Sequence, residues 1–452
     1  MLTILSFIAT LSILILVHEL GHFFAAKAVG IQVPRFSLGF GKRLAGFKWG
    51  ETDFVLSAIP LGGYVKMAGM EDDEPSSALE GAGPPQDEVD PERTFDSKPI
   101  WARTLVISAG VIMNLLFAFV VYTGLSAALG ETLTPVTRVS VPPAGKLTPG
   151  AKALASMPDG ATVATIAGDS VRYFEDLLRG LARAPAGPVR VTFTDHAPVT
   201  LQLPEAQDAR GELITSLLPY REPILADVLG GSPAKRAGLR PGDRVLSAAG
   251  RPTETWYQLV EAIRSHPGKP LALVVQRDGR QLPITVTPNS VRGRDAAGKR
   301  IDVGQVGAAP LIPEVHRPVG AVEAVKLGAQ GTWGSVVTIG TVLKQLLTGQ
   351  MSARNVGGLL SIGEASGETA SQGLDAWLFF LALFSVNLAV LNLLPIPILD
   401  GGHLMFLAFE AVRGRPLSVE ARIRLSQVGL VIVVALMLWA NGNDVVRFVF
   451  ER

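Results

Sequence analysis

The chain has 452 residues, 48% of them hydrophobic and 18% charged, with a mean hydropathy of +0.33; it is richer in apolar side chains than water-soluble globular proteins of this size, which points to membrane-spanning segments. Its 41 Lys and Arg against 40 Asp and Glu leave a formal charge of +1, so no global basic field attracts nucleic acid, and no nucleic-acid partner is expected. The absence of cysteine excludes disulfide frameworks, thiolate zinc sites, iron-sulfur clusters and a cysteine nucleophile, so any metal must be held by His, Asp and Glu.

Leu2 to Val17 is almost wholly apolar. A bilayer-spanning helix needs about 20 such residues, so the run must continue through His18-Glu19-Leu20-Gly21-His22 to cross. A secretory signal peptide is the alternative, but no Lys or Arg precedes the run and no small-residue cleavage site follows it. Further spans are expected at Leu105 to Leu129, Trp377 to Ile396 and Leu425 to Ala440, the last short enough to need snorkelling flanks or a thinned bilayer. Lys27, Arg35, Lys42, Arg43, Lys48, Lys66, Lys98 and Arg103 lie between the first two spans, and Arg413, Arg415, Arg422 and Arg424 between the last two. Basic residues are retained on the cytoplasmic side, so both loops are expected there, with both termini and the long segment from about residue 130 to 375 outside. The acidic stretch from Glu71-Asp72-Asp73-Glu74 to Asp96 reads as a solvated, mostly disordered loop.

The outer segment carries an internal repeat. Ala167-Gly168-Asp169-Ser170, followed by Phe174 and Leu177, returns 82 positions later as Ala249-Gly250-Arg251-Pro252, followed by Trp256 and Leu259. Each copy runs on into β-branched strands, Val189 to Phe193 and Leu271 to Val275, so two β-rich domains of similar plan are expected. Gly231 to Leu246 in the second copy reads as a short helix closed by Gly238 and a Pro241-Gly242-Asp243 turn into a strand. This string resembles the PDZ domains of bacterial proteases, which bind extended peptides at a sheet edge; the first copy, with Met157-Pro158-Asp159-Gly160 at the turn, is a degenerate version. A spacer or filter is the other role open to the pair.

The chemistry is concentrated in two spans. His18-Glu19-Leu20-Gly21-His22 is an H-E-x-x-H motif, in which residues i and i+4 share a helix face and can hold one zinc ion, with the glutamate beside them as base. Three ionisable groups inside an apolar span cost about 2.5 kcal/mol or more each at the bilayer centre, so they are kept where they have partners and work. Catalytic zinc needs a third protein ligand. His196, His266 and His316 belong to the outer domains, which leaves Asp400, the carboxylate at the end of Asn387 to His403, with His403 as its rival. Pro395 and Pro397 break this span, and lipid tolerates broken helices only where the chain lines a protein-enclosed cavity. His18 lies about 24 Å along the first span from Leu2 and Asp400 ends the third, which runs the same way, so charge asymmetry alone sets both at similar depth.

His-Glu-Leu-Gly-His in the first span, Asn392-x-x-Pro395-x-Pro397-x-Leu399-Asp400-Gly401 in the third and tandem PDZ-like domains between together resemble the site-2 protease family over essentially the whole chain. The resemblance implies one zinc ion held by His18, His22 and Asp400, with Glu19 as catalytic base and Asn392 and Asn387 as substrate-positioning residues. Leu61 to Met67 resembles the family's membrane-associated β-hairpin, whose Gly63, Tyr64, Val65, Lys66 and Met67 would hold substrate as an extended strand, and Gly39-Phe40-Gly41-Lys42 resembles the membrane-reentrant segment before it. A departure lies before the third span, where Gly357-Gly358-Leu359-Leu360-Ser361-Ile362 replaces a Gly-Pro-Val-like element.

The expected fold is a polytopic α-helical membrane protein of four transmembrane helices with two inserted β-rich PDZ-like domains. Its parts are a first span to residue 27, a loop with hairpin and acidic stretch over 28–103, a second span over 104–129, PDZ-like domains over 130–220 and 221–312, and a linker with amphipathic helices over 313–375. A third span over 376–402, a loop over 403–424, a fourth span over 425–443 and a tail over 444–452 complete it. The resemblance implies a multi-pass protein of the bacterial inner membrane with periplasmic PDZ-like domains and termini and an active site near the cytoplasmic face. It also implies cleavage of single-span proteins, an anti-sigma factor and remnant signal peptides, after an upstream site-1 type protease has shortened them. A silent adaptor has no need of Glu19 and Asp400, and a metal transporter would be expected to show paired repeats across the membrane halves.

Overall fold

A computed structural model describes residues 2–70, 90–294, 300–349 and 356–450; the acidic stretch that begins at Glu71 lies outside the described residues as far as 89. The chain divides into two compact units, Met1–Gly130 with Pro318–Arg452, and Glu131–Arg317. The first opens with α1 (Leu2–Ala28), continues through β1 (Arg35–Trp49) and β2 (Thr52–Lys66), and enters α2 (Ile100–Leu129). The long helices form because runs of Leu, Ile, Val, Phe and Ala satisfy their backbone internally, the condition for crossing lipid. Gly21 lets α1 approach α2 closely: a Cβ there would stand 2.3 Å from the Ala109 carbonyl oxygen.

β1 and β2 each bend and fold into one sheet. Thr52 to Ser57 pairs with Arg43 to Trp49, Arg35 to Leu38 lies against Asp53 to Leu56, and Gly63 to Lys66 pairs with Arg35 to Leu38 along the other side. Gly63 to Lys66 is therefore one outer strand and Arg43 to Trp49 the other. Gly39-Phe40-Gly41-Lys42 forms the bend of β1 itself, because Gly39 and Gly41 take φ of 92° and 85°, a region closed to most side chains.

The second unit begins with β3 (Glu131–Leu133) and β4 (Val139–Ser140) and holds two successive modules. The first has β5 (Val163–Ile166), β6 (Asp169–Ser170), α3 (Phe174–Arg183), β7 (Gly187–Phe193) and β8 (Val199–Leu203), followed by α4 (Gln207–Ser216) and β9 (Leu218–Pro219). The second starts at β10 (Leu225–Val228) and α5 (Pro233–Arg236), then repeats the plan with β11 (Arg244–Ala248), β12 (Arg251–Pro252), α6 (Trp256–Arg264), β13 (Leu271–Arg277) and β14 (Arg280–Val286). It closes with β15 (Asn289–Arg294), β16 (Arg300–Gln305), β17 (Ala308–Pro310) and β18 (Val315–Arg317). The four-stranded sheets run β6-β5-β7-β8 and β12-β11-β13-β14, the same order in both modules. Even the turn is shared: Ala167 and Ala249 take φ of 51° and 50°, each before a glycine. Each module buries its own core, around Leu154, Leu177 and Leu201 in the first and Val245, Leu259 and Val275 in the second.

The chain returns to the first unit in α7 (Ala321–Leu347), α8 (Leu359–Gln372), α9 (Leu374–Asn392), α10 (Asp400–Arg413) and α11 (Val419–Phe450). Among the described residues four helices are long and apolar enough to cross a membrane: Leu2–Ala28, Ile100–Leu129, Leu374–Asn392 and Val419–Val446. Three differ from the sequence expectation: the second begins earlier, at Ile100 instead of Leu105. The third stops at Asn392, before its prolines. The fourth is longer, because polar residues that look like a span's end cap another helix: Asn441 Oδ1 accepts from Leu359 N at 3.0 Å and Asp444 Oδ2 from Ser361 N at 2.9 Å. The Gly357-Gly358 departure belongs to this contact, since a Cβ on Gly358 would lie 2.5 Å from Asn441 Oδ1. α7 runs beside α2, with the Tyr122 and Ser335 hydroxyls 3.1 Å apart.

The two ends of the second unit lie side by side, β3 pairing with β18 so that Glu131 stands opposite Arg317. Glu131 accepts from Arg317 at 2.5 Å and from Arg179 at 2.8 Å. Burial would raise this carboxyl, but the two arginines outweigh it and hold it below the usual carboxylate range. Its contribution is therefore present at neutral pH and lost as pH falls through the lowered value. Glu131→Gln is expected to loosen the β3 and β18 pairing by about 1 kcal/mol at pH 7. Amide exchange at Val315 to Arg317 should report this, and the difference from wild type should shrink as pH falls below the usual carboxylate range; no difference at pH 7 would refute it.

Candidate metal centre

His18 and His22 lie one turn apart on α1, both buried. Asp400 comes from the first turn of α10, after a non-helical passage over 393–399. That passage folds back tightly because Gly401 and Gly402 have no side chains: a Cβ would stand 2.3 Å from the Leu393 oxygen or 2.4 Å from that of Ile396. Ile398 takes φ of 126°, a strained conformation for a β-branched residue and one that clusters at functional sites. The result brings one donor atom from each of His18, His22 and Asp400 within 4.8 Å of the others. His18 Nε2 is 3.3 Å and His22 Nε2 3.5 Å from the Asp400 oxygens, and the two Nε2 atoms are 3.2 Å apart.

Three basic-capable atoms facing one point form an arrangement that a divalent cation resolves. The ring of His22 is already oriented for it: Nδ1 lies 2.8 Å from the Val106 carbonyl, so its proton belongs there and Nε2 is left for a metal. Two imidazoles and a carboxylate suit zinc, with room for a further ligand. His403, the rival third ligand, sits one turn beyond Asp400 on α10 and lines a small cavity with Arg103, Phe406 and Glu410, outside this group.

Of the other residues singled out from the sequence, Asn392 ends α9 with its Nδ2 3.5 Å from His18 Nε2. Asn387 is half-buried on the same helix and makes no hydrogen bond to the cluster among the described residues. Glu19 lies beneath the outer strand of the sheet: a Cβ on Gly63 would stand 3.2 Å from Glu19 Cγ and 2.8 Å from Ile15 Cγ2. Tyr64, Val65 and Lys66 continue that strand, and Met67 follows it, buried.

Two residues of α2 went unremarked in the sequence. Gly110 lies under both imidazoles, where a Cβ would meet His22 Nε2 at 2.4 Å and His18 Cε1 at 2.6 Å. Asn114, fully buried, places its Nδ2 3.2 Å from His18 Nδ1. An amide in the middle of an apolar span was the available signal. Gly110→Ala is expected to displace the rings and strip bound metal, whereas Gly124→Ala on the same helix, with nothing within 4 Å of its Cβ, should retain it. Metal analysis of the two purified variants decides, and equal metal content would refute the role given to Gly110.

The sequence profile of peptidase family M50 matches residues 6–436, a stretch that contains both halves of the centre. The chain is 35% identical to the regulator of sigma E protease of Salmonella typhimurium LT2 over 98% of each chain. It is 35% identical to the regulator of sigma-E protease RseP of Escherichia coli K12 and 34% identical to protease RseP of Yersinia pestis, again over 98% of each. With one family profile running through the whole catalytic region and relatives of matching length at this identity, the chain belongs to peptidase family M50, the site-2 protease family, and is a metalloprotease.

Proposed function

We propose that this protein is a zinc-dependent endopeptidase that cuts membrane-spanning segments of single-span proteins in regulated intramembrane proteolysis. The observation that carries this reading is the meeting of His18, His22 and Asp400 inside a bundle of apolar helices, with Glu19 beside them under an outer β-strand. His18, His22 and Asp400 hold one zinc ion, which when bound supplies Lewis-acid polarisation and an activated water. Glu19 takes the proton of the attacking water and returns it to the leaving amine. The Asn392 amide donates to the oxygen that gains negative charge at the scissile carbonyl, and Asn387 positions the substrate further along α9.

A helical substrate hides its peptide bonds and must unwind before it can be cut. Gly63 to Lys66 offers such a segment a partner, since an extended peptide adds to a sheet edge through main-chain hydrogen bonds. The two modules of the second unit act as PDZ-like domains outside the membrane that exclude substrates with bulky outer domains. In this reading the protein is a multi-pass component of a bacterial inner membrane with its termini periplasmic and its site towards the cytoplasmic face. The names of its relatives speak of sigma-E regulation, and an anti-sigma factor, shortened first by a site-1 type protease, is a substrate that fits such a role. Remnant signal peptides are a second class.

Purified wild type should cleave a tagged single-span substrate whose outer domain has been removed, and a zinc chelator should abolish the cleavage. Glu19→Gln should keep its metal and lose at least about 10²-fold in rate; equal cleavage by both proteins would sink the assignment of Glu19. Tyr64→Pro, which removes one strand N–H, is expected to lose cleavage while binding zinc as wild type does. Full activity in that variant would remove the strand from the mechanism.

A further inference from the structure

An imidazole that ligates through Nε2 carries its proton on Nδ1, and that proton needs an acceptor. His22 has the Val106 carbonyl at 2.8 Å. Against Nδ1 of His18 stands the Asn114 side chain, with Nδ2 at 3.2 Å. Asn114 is fully buried and its Oδ1 has no hydrogen-bond partner among the described residues. In this placement a donor meets a ring nitrogen that must itself donate, while the acceptor of the same amide is orphaned. A half-turn about the terminal torsion exchanges the amide oxygen and nitrogen without changing the outline of the side chain. It sets the oxygen on His18 Nδ1 and gives the orphaned acceptor its proton. The residue is held in place to do this, since Ser385 of α9 donates to the Asn114 backbone carbonyl at 2.9 Å.

We propose that Asn114 is a positioning residue whose amide oxygen accepts the Nδ1 proton of His18, fixing the tautomer that leaves Nε2 to the metal. α2 then serves both histidines, one through a main-chain carbonyl and one through a side chain. The proposal rests on the metalloprotease reading above. It requires an acceptor at position 114, and it gives Asn114 no contact with the substrate.

The test uses the full-length protein in detergent as wild type, Asn114→Leu, Asn114→Ala and Asn114→Asp. Zinc affinity is measured by competition with a chromophoric chelator, and the melting of each metal-free protein is followed alongside. Leu and Ala are expected to weaken zinc binding about 10- to 100-fold, the usual effect of losing a partner of a ligating histidine. Asp, which keeps an acceptor oxygen, should hold wild-type affinity, and the metal-free melting points should agree. If Leu disturbs the packing and shifts that melting point, the smaller Ala carries the comparison. Wild-type affinity in Leu and Ala would overturn the proposal and hand the proton to the Gly110 carbonyl, which also lies against this ring. Equal loss in all three would overturn it too, since the NH2 donor or the neutrality of the amide, and not an acceptor, would then matter. A wild type that binds no zinc would overturn the metalloprotease reading and this inference with it.

Discussion

Two imidazoles and a carboxylate inside a bundle of apolar helices are tolerable only if each polar atom has a partner, because lipid and packed side chains offer none. Much of the first unit is arranged around that constraint. α2 supplies the Val106 carbonyl and the Asn114 amide, and its bare backbone at Gly110 leaves the space the rings occupy. The close approach of α1 and α2 at Gly21 is a second expression of the same need. A side chain at either glycine would hold the helices apart, and no partner on α2 would then reach the histidines.

The carboxylate is delivered by a different device. α9 ends at Asn392, seven residues of irregular chain follow, and α10 begins at Asp400. Backbone groups freed by such a break are costly in lipid unless the surrounding protein receives them. Here the break is packed under α11, where Gly429 lets the Pro397 carbonyl lie directly against the helix. At its other end α10 is tied to α2 by the Arg103 and Glu410 pair, with contacts of 2.6 and 3.0 Å. Both side chains are largely buried, so loss of one partner would leave an uncompensated charge. Asp400 is thus carried on a helix anchored to the same α2 that orients the histidines.

How much of this is legible in the sequence follows from what each signal depends on. The His18 and His22 spacing is local, and a helix converts it into a shared face without any tertiary contact. The repeat is legible for the same reason: the Ala167-Gly168 and Ala249-Gly250 turns and the strands after them are short-range patterns, and the two modules share one strand order. Gly110 and Asn114 are different, because their meaning lies in what stands opposite them on α1. The C-terminal end of α11 departs from the sequence expectation for that reason too. Asn441 and Asp444 mark a boundary by hydropathy, yet α8 turns its N-terminus towards them and accepts their polarity. The sheet of β1 and β2 depends on bends at Gly39 and Gly41 that bring four segments together, and no alternation pattern announces its strand order.

That strand order bears on the chemistry more directly than the length of either strand. Arg35 to Leu38 is enclosed, and Gly63 to Lys66 forms the outer strand next to it. Gly63 is the residue that touches Glu19 and Ile15. A larger side chain there would lift the strand off the helix that carries the metal ligands. On the proposed mechanism, a peptide added to this edge would have its carbonyl groups set by main-chain hydrogen bonds, whatever its side chains. Selection by sequence would then be weak at the cut itself. Discrimination among substrates would fall to how easily a helix unwinds and to what the second unit lets approach.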